Sequence, residues 1–199
     1  MTDSHRHPMN RIRIAAWDGS DAQLARAAAL YAAVFAEPPY EDDPEASRVS
    51  FPERVRRYAD TKPHFRLLLA WDGRQQLAGL ALGTGIAAGD WWRDRIVALL
   101  TTEEQAMWLR EECFSVAELA VSPAHRRTGV ARSLMDAVLT DLPYETAVLG
   151  CHAAAGPARR LYASLGWQEI ITDVHIGDSP ALCILGRHLR GRETRHDRE

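Results

Sequence analysis

Apolar residues recur along this chain with two spacings, which predict strands and helices. Residues 11–17 alternate between apolar and polar types, the pattern of a half-buried strand. A helix is predicted next, because apolar residues then recur at intervals of three and four. The residues of that stripe are Leu24, Ala28, Tyr31 and Phe35. Pro38 and Pro39 end the helix, since two consecutive prolines cannot continue it.

The same patterns predict the later elements. Ser50-Phe51-Pro52-Glu53 has the spacing of a capping box, which predicts a second helix from there to about Ala59. A turn at Asp72-Gly73 joins two predicted strands, 65–71 and 77–84. The remaining predictions are a strand over 113–121, a helix after Gly129, a strand over 147–149, a helix from Pro157 to near Gly166, and strands over 167–171 and 181–185.

Residues 85–112 have the least regular pattern. Thr102-x-x-Gln105 predicts the start of a short helix. Trp91 and Trp92 allow two interpretations: they fill the core, or they form an aromatic lid over a substrate. A connection of this length in a compact domain is usually functional or has secondary structure of its own.

The order of elements predicts an α/β protein with a mixed sheet and helices on both faces. The chain has 199 residues, of which 46% are hydrophobic, enough for one buried core. We expect a disordered tail over residues 1–9, one domain over 10–189 and a charged tail over 190–199.

Charge and composition argue against several classes of protein. The net charge of −3 makes nucleic acid an unfavourable partner. No apolar run is long enough to span a membrane, and the polar N-terminus lacks the core of a signal peptide. The cysteines, Cys113, Cys151 and Cys183, are odd in number and widely spaced, which favours reduced thiols in the cytoplasm. We predict no metal site, and interpret His5 and His7 as inert residues of a polar terminus.

One segment, 116–135, predicts an anion site. A strand leads through a turn and an arginine-containing loop directly into an amphipathic helix. The first N–H groups of a helix lack internal acceptors and lie at the positive end of its dipole. Gly129 allows close approach of a phosphate, and Arg126, Arg127 and Arg132 add positive charge. These features together predict a pyrophosphate cradle.

Three segments in order resemble the landmarks of the GNAT N-acetyltransferase family. Arg126-Arg127-Thr128-Gly129-Val130-Ala131 fits its R/Q-x-x-G-x-G/A signature. Glu118-Leu119-Ala120-Val121 precedes it, and Leu161-Tyr162-Ala163-Ser164-Leu165-Gly166-Trp167 is similar to the later LY-x-x-x-GF/W. The resemblance extends roughly over residues 11–185. It implies the GNAT-type acyl-CoA N-acyltransferase fold, with a central, mostly antiparallel sheet, and acetyl-CoA as cofactor.

The resemblance also implies which residues hold the cofactor. Main-chain groups of Leu119, Ala120 and Val121 would pair with the pantetheine arm. The pyrophosphate would lie on backbone N–H groups from Arg126 to Arg132, that is, Arg126, Arg127, Thr128, Gly129, Val130, Ala131 and Arg132. Ala155 departs from the family pattern, because an asparagine with a polar contact to the cofactor often occupies that position.

Two residues are candidates for the chemistry that the resemblance implies. Tyr162 aligns with the family tyrosine that approaches the CoA sulfur, and would act as the acid; the alternative is a core tyrosine. Glu118 shares a predicted sheet face with Ala120 and would act as the base through water; the alternative is a structural ion pair. Cys151 and His152 make a poor nucleophilic pair, because neighbours in a strand point to opposite faces.

The acceptor is less determined than the donor. An acidic segment over 37–45 would attract a cationic amine, with Glu41 in its middle and Phe35 and Tyr40 as aromatic walls. Its alternative is a solvated loop. Trp91 and Trp92 are the other candidate substrate contacts. We expect a small-molecule amine; the competing hypotheses are a peptide or protein acetyltransferase, and an acyl-CoA-binding sensor with little catalysis. A homodimer is possible.

Overall fold

The computed structural model describes residues 12–189. The two predicted tails, over 1–9 and 190–199, lie outside the described residues, as do His5 and His7. Within 12–189, no helix is both long enough and apolar enough to cross a bilayer.

The strands and helices of the described chain follow one another in the order β1 α1 α2 β2 β3 α3 α4 β4 α5 β5 α6 β6 β7. The strands are β1 (Arg13–Ala16), β2 (Arg66–Trp71), β3 (Leu77–Ala87), β4 (Glu112–Val121), β5 (Thr146–His152), β6 (Gln168–Val174) and β7 (Leu182–His188). The helices are α1 (Asp21–Phe35), α2 (Pro44–Thr61), α3 (Trp91–Val97), α4 (Thr102–Trp108), α5 (Val130–Leu139) and α6 (Gly156–Ser164).

The strands form one mixed sheet in the order β1-β2-β3-β4-β5-β7-β6. β1 and β2, β2 and β3, β5 and β7, and β6 and β7 are antiparallel pairs. β4 and β5 are parallel, with Phe114 opposite Ala147 and Ser115 opposite Val148. The predicted mixed and mostly antiparallel sheet is therefore confirmed.

Residues 12–84 and Val116–Thr140 form a first compact unit. Its core joins α1 and α2 to the sheet, and the predicted stripe of α1 is buried except for the half-buried Phe35. The largest buried side chains of this core include Leu24, Phe51, Leu69 and Leu80. Apolar spacing in α1 was sufficient to predict which face is buried, because one stripe has to cover the sheet.

Gly85–Ser115 and the described residues from Asp141 onward form a second unit. Its core contains Ile96, Trp108, Cys113 and Ile184. The irregular segment 85–112 thus contains two short helices that supply core residues. The capping box of α4 is made by Thr101 and Glu104, one residue before the predicted Thr102-x-x-Gln105.

The predicted start of α2 is wrong. The helix begins at Pro44, with the Asp43 side chain accepting a hydrogen bond from the N–H of Glu45 at 2.9 Å. Asp43 caps the helix and Pro44 occupies the first turn, where its missing N–H costs nothing. Pro52 therefore lies inside the helix, next to the fully buried Phe51, and the capping box predicted at Ser50 does not form.

Gly186 in β7 allows Trp108 to lie directly against the sheet. A Cβ added there would be 2.4 Å from Trp108 Cε3 and 2.8 Å from Ile170 Cδ1. We expect Gly186→Ala to reduce the free energy of unfolding by about 1–3 kcal/mol, because the indole has to move. The control is Gly150→Ala in the neighbouring strand β5, where the nearest atom is 3.5 Å away.

Chemical denaturation of both variants measures the difference. Gly150→Ala should retain the stability of the parent protein, since its added methyl makes an ordinary contact. Equal stability of the two variants would contradict the packing of Trp108 against Gly186.

Candidate active site

The segment from β4 into α5 has the geometry of an anion cradle. The strand ends at Val121, and the N–H of Ser122 still donates to Ala78 of β3 at 2.9 Å. The loop that follows has positive φ angles at Arg127 and Gly129, 64° and 90°. Such left-handed residues turn consecutive N–H groups toward one side of the chain, which makes an anion-binding concavity.

The N-terminus of α5 is available to a ligand. Gly129 is its N-cap residue, without a side-chain hydrogen bond to the first turn. A Cβ at Gly129 would meet no atom within 4 Å, so space is open above this backbone. Arg126, Arg127, Thr128 and Gly129 are all exposed. These features fit a pyrophosphate, which needs backbone donors and room.

The body of α5 is held firmly, and this fixes the position of the cradle. Val130, Leu134 and Val138 are buried on one face of the helix. At the other end, Arg66 of β2 donates to the carbonyl oxygen of Val138 at 3.2 Å and to that of Thr140. A cation at the C-terminal carbonyls of a helix is stabilising.

His125 anchors the loop to the β2–β3 turn. Its Nε2 lies 3.3 Å from Asp72 Oδ2, and both side chains are mostly buried. Asp72 also accepts hydrogen bonds from the N–H groups of Arg74 and Gln76, both at 2.8 Å. The hydrogen bond from Gln76 contributes most to lowering the pKa of Asp72.

Arg126 has a protein partner as well as its predicted role at the cofactor. Its Nη1 lies 2.8 Å from Glu37 Oε2, and both side chains are largely exposed. The acidic segment after α1 and the cradle loop are therefore in contact within the first unit. A bridge this exposed contributes only about 0–1 kcal/mol, so a bound anion can replace Glu37 at little cost.

The predicted acidic rim is only partly available to a substrate. Glu37 pairs with Arg126, Glu45 with Arg48, and Asp43 caps α2. Within residues 12–189, the side chains of Glu41 and Asp42 make neither an ion pair nor a cap. Burial raises the pKa of Asp42, while Arg54 lowers it in part.

The predicted aromatic walls lie next to each other. Phe35 and Tyr40 meet edge to face with centroids 4.8 Å apart, and Phe35 is 4.4 Å from Tyr31. Tyr31 stacks on Phe51 at 4.5 Å, so the rings continue from the loop into the core. Glu41, between Tyr40 and Asp42, is exposed and has a positive φ of 54°.

Glu118 forms an ion pair with a residue that the sequence patterns did not identify. Arg54 Nη2 of α2 lies 2.7 Å from Glu118 Oε1, with 29% and 12% of the respective side chains exposed. Burial raises the pKa of Glu118; Arg54 opposes this rise and Asp42 adds to it. The net effect is a raised pKa, the direction that makes this carboxylate a stronger proton acceptor. The only available signal was Glu118 itself, a carboxylate on a core-facing position that requires a partner.

The predicted pantetheine strand, the end of β4, contributes to the core of the first unit. Ala120 belongs to its core, and Leu119 and Val121 are half-buried. The carbonyl oxygen of Ala120 is 2.8 Å from the position that a Cβ at Gly79 would take, which shows how closely β3 approaches here.

Tyr162 and the tryptophan pair belong to the second unit. Tyr162 is buried on α6, with its ring 6.2 Å from Trp167 in an edge-to-face arrangement. Ala155 is the N-cap residue of α6 and provides no side-chain hydrogen bond to the first turn. Trp91 is 58% exposed beside Gly177, so it does not fill the core, and Trp92 lies over Gly150.

Comparison with known proteins decides the family. A profile of the GNAT acetyltransferase domain matches residues 66–169, more than half of the chain. The chain belongs to the GNAT acetyltransferase family. All three sequence landmarks lie within the matched region, so this GNAT protein is an N-acetyltransferase, and acetyl-CoA is the donor that its family uses. No curated protein matches the chain in sequence.

Solved structures support the same fold. The ribosomal-protein-S18-alanine N-acetyltransferase from Escherichia coli is 14% identical, with a TM-score of 0.58 over 95% of this chain and 100% of that chain. Arylalkylamine N-acetyltransferase 2 from Aedes aegypti is 13% identical, with a TM-score of 0.58 over 90% and 100%. A chain of the NatC complex bound to Gag peptide and CoA is 14% identical in sequence, with a TM-score of 0.62 over 89% of this chain and 98% of that chain. At these identities the likeness concerns the fold alone.

Cys113 and Cys151 are in surroundings that disfavour their thiolate forms. Burial raises the pKa of Cys151 to about 11 and that of Cys113 to about 12, so both stay protonated at neutral pH. His152 is also occupied, because its Nδ1 accepts the N–H of Ala154 at 3.1 Å. The interpretation of Cys151 and His152 as a poor nucleophilic pair is consistent with this geometry.

We therefore predict slow alkylation of Cys151 and Cys113 in the native protein. At pH 7, iodoacetamide should modify each at least about 100-fold more slowly than in the chain unfolded by guanidinium, because the thiolate fraction is so small. Peptide-resolved mass spectrometry measures both rates. Rapid alkylation of native Cys151 would contradict its burial and reopen its candidacy as a nucleophile.

Proposed function

We propose that this protein transfers an acetyl group from acetyl-CoA to the primary amine of a small cationic molecule, by direct attack of the amine on the thioester. The open, uncapped N-terminus of α5 carries the donor half of this proposal. The exposed carboxylates of Glu41 and Asp42 beside the rings of Phe35 and Tyr40 support the acceptor half.

The donor would be held mainly by the backbone. N–H groups from Arg126 to Arg132 would bind the pyrophosphate, with Gly129 giving it room. Main-chain groups of Leu119, Ala120 and Val121 would pair with the pantetheine arm. Bound acetyl-CoA supplies an activated acetyl group at this strand.

The protein's own groups would move two protons. Glu118 would accept, directly or through water, the proton that the acceptor ammonium must lose before its nitrogen can attack. Tyr162 would donate its hydroxyl proton to the sulfur as the carbon–sulfur bond breaks. The nitrogen carries one excess proton after its attack, and this proton would pass through water to the Tyr162 oxygen and restore its hydroxyl. No covalent intermediate with the protein is required.

We also propose that the protein acts in the cytoplasm. Cys113, Cys151 and Cys183 are free thiols and buried, which suits a reducing compartment.

Gly129→Ala tests the donor site. We expect the dissociation constant for acetyl-CoA to rise about fivefold or more, because alanine disfavours a φ of 90° and its methyl intrudes on the space for the pyrophosphate. Gly89→Ala is a matched control, since Gly89 has a φ of 93° and equally open surroundings. Both variants should lose about 1 kcal/mol of stability through backbone strain.

Isothermal titration calorimetry with acetyl-CoA separates the two effects. Gly89→Ala should bind as tightly as the parent protein. The pyrophosphate assignment would be lost if both variants bound acetyl-CoA equally well.

A thiol-release assay with acetyl-CoA tests the reaction. The panel contains polyamines, aminoglycosides, arylalkylamines and N-terminal peptides, and we expect the fastest turnover with a small amine that carries extra positive charge. Tyr162→Phe should lower kcat by about 100-fold, because the thiolate then leaves without a proton donor. Tyr144→Phe, also a buried tyrosine of the second unit, is the control and should retain kcat.

Two results would overturn these assignments. Unchanged turnover in Tyr162→Phe would show that Tyr162 is not the acid. A preference for neutral peptides over every small cation would show that the acceptor is not a small cationic amine.

A further inference from the structure

Arg54 contacts both the proposed base, Glu118, and the ring of Tyr31, which packs against Phe35. It extends from α2 to Glu118 on β4, with Nη2 and Oε1 2.7 Å apart. Its guanidinium carbon lies 5.4 Å from the ring centroid of Tyr31 and 5.8 Å from that of Phe51. Two aromatic faces and one carboxylate therefore hold the guanidinium in place.

Stability alone gives a weak account of this arrangement. Arg54 Nε is buried and makes no hydrogen bond within the described part of the chain. A partly buried ion pair loses in desolvation much of what it gains in attraction, so an apolar residue of similar size is often equally stable. The principal effect of Arg54 is then on the position and the ionisation of the Glu118 carboxylate, with which it forms its ion pair.

The charged and titratable groups around Glu118 come from three segments. Arg54 on α2 favours its ionised form, whereas Asp42 in the loop before α2 disfavours it. Tyr31 on α1 is neutral at physiological pH, because burial, followed by the charge of Glu118, raises its pKa to about 12. Among these groups only Arg54 counteracts the burial of the carboxylate.

We propose that Arg54 is a positioning residue for acetyl transfer: its guanidinium, which lies against the rings of Tyr31 and Phe51, holds Glu118 by Oε1 and leaves Oε2 to take the proton from the acceptor. This inference rests on the proposed function, in which Glu118 is the base. It adds that the base depends on a specific cation from the acceptor-side helix.

The proton balance is simple. The acceptor ammonium gives one proton to Oε2 of Glu118, and its nitrogen keeps the electron pair that attacks the acetyl carbon. Arg54 stays on Oε1 throughout and exchanges no proton. The neutral carboxyl formed in this step returns its proton to solvent after the product leaves.

The test is the pH dependence of kcat/KM in variants of Arg54. Arg54→Met removes the charge, so the pKa of Glu118 should rise further and the acidic limb should move to higher pH by about one unit or more. Arg54→Lys keeps the charge, so the acidic limb of its kcat/KM profile should lie at nearly the same pH as in the parent protein, while kcat falls. Arg56→Met is the control on the same helix: Arg56 pairs with the exposed Asp21 and should leave the profile unchanged.

A second measurement does not depend on activity. Carbon-13 NMR of the Glu118 carboxyl should show its titration moving to higher pH in Arg54→Met and remaining nearly in place in Arg54→Lys. Circular dichroism establishes that each variant is folded. If Arg54→Met does not fold, Arg54→Gln takes its place in both measurements, because it also removes the charge.

Glu118→Gln separates failure of this inference from failure of the proposed function. If Glu118→Gln retains the parent rate and acidic limb, Glu118 is not the base and the inference fails with the proposal. A second outcome is that Glu118→Gln loses activity, while removal of the Arg54 charge lowers kcat/KM equally at every pH and leaves the titration of the Glu118 carboxyl unchanged. Arg54 then has only a structural role. The inference is supported if removal of the Arg54 charge moves both the acidic limb of kcat/KM and the titration of the Glu118 carboxyl to higher pH.

Discussion

Glu118 is an ionisable group on a sheet face that otherwise packs against apolar residues, and much of the first unit depends on how that conflict is resolved. Ala120, two positions later on the same face, lies in the core with α1. A carboxylate in such surroundings needs a partner. Arg54 provides it, and the same guanidinium lies over the rings that join α1 to α2. The pair therefore links β4, the cradle strand, to the helices that border the acceptor segment.

The proposed donor site differs from the Arg54–Glu118 pair, because its binding groups would belong to the backbone. The side chains of α5 fix the helix through Val130, Leu134 and Val138, and Arg66 closes its far end. The arginines of the loop are less constrained. Arg126 shares an exposed bridge with Glu37, whose small net energy means that it neither forms nor blocks the cradle.

This difference explains which features could be predicted from the sequence. The left-handed turn at Gly129 and the start of α5 are continuous in sequence, so local spacing was enough to predict them, and the apolar stripe of α1 was enough to orient that helix. Arg54 and Glu118 are far apart in sequence, and no local pattern connects them. The start of α2 was wrong for a related reason: the buried face around Phe51 keeps the helix continuous through Pro52, which local rules treat as a helix start.

The acceptor side shows why counting charges in a sequence overestimates electrostatic attraction. Of the five carboxylates between Glu37 and Glu45, three are engaged by Arg126, by Arg48 and by the N-terminus of α2. Asp42, Arg54 and Glu118 together carry one net negative charge, a modest attraction for a cation in water. Under the proposed function, selection among amines would depend as much on the shape of the Phe35 and Tyr40 rings as on charge, since an ammonium gains from an aromatic face only when the geometry allows close approach.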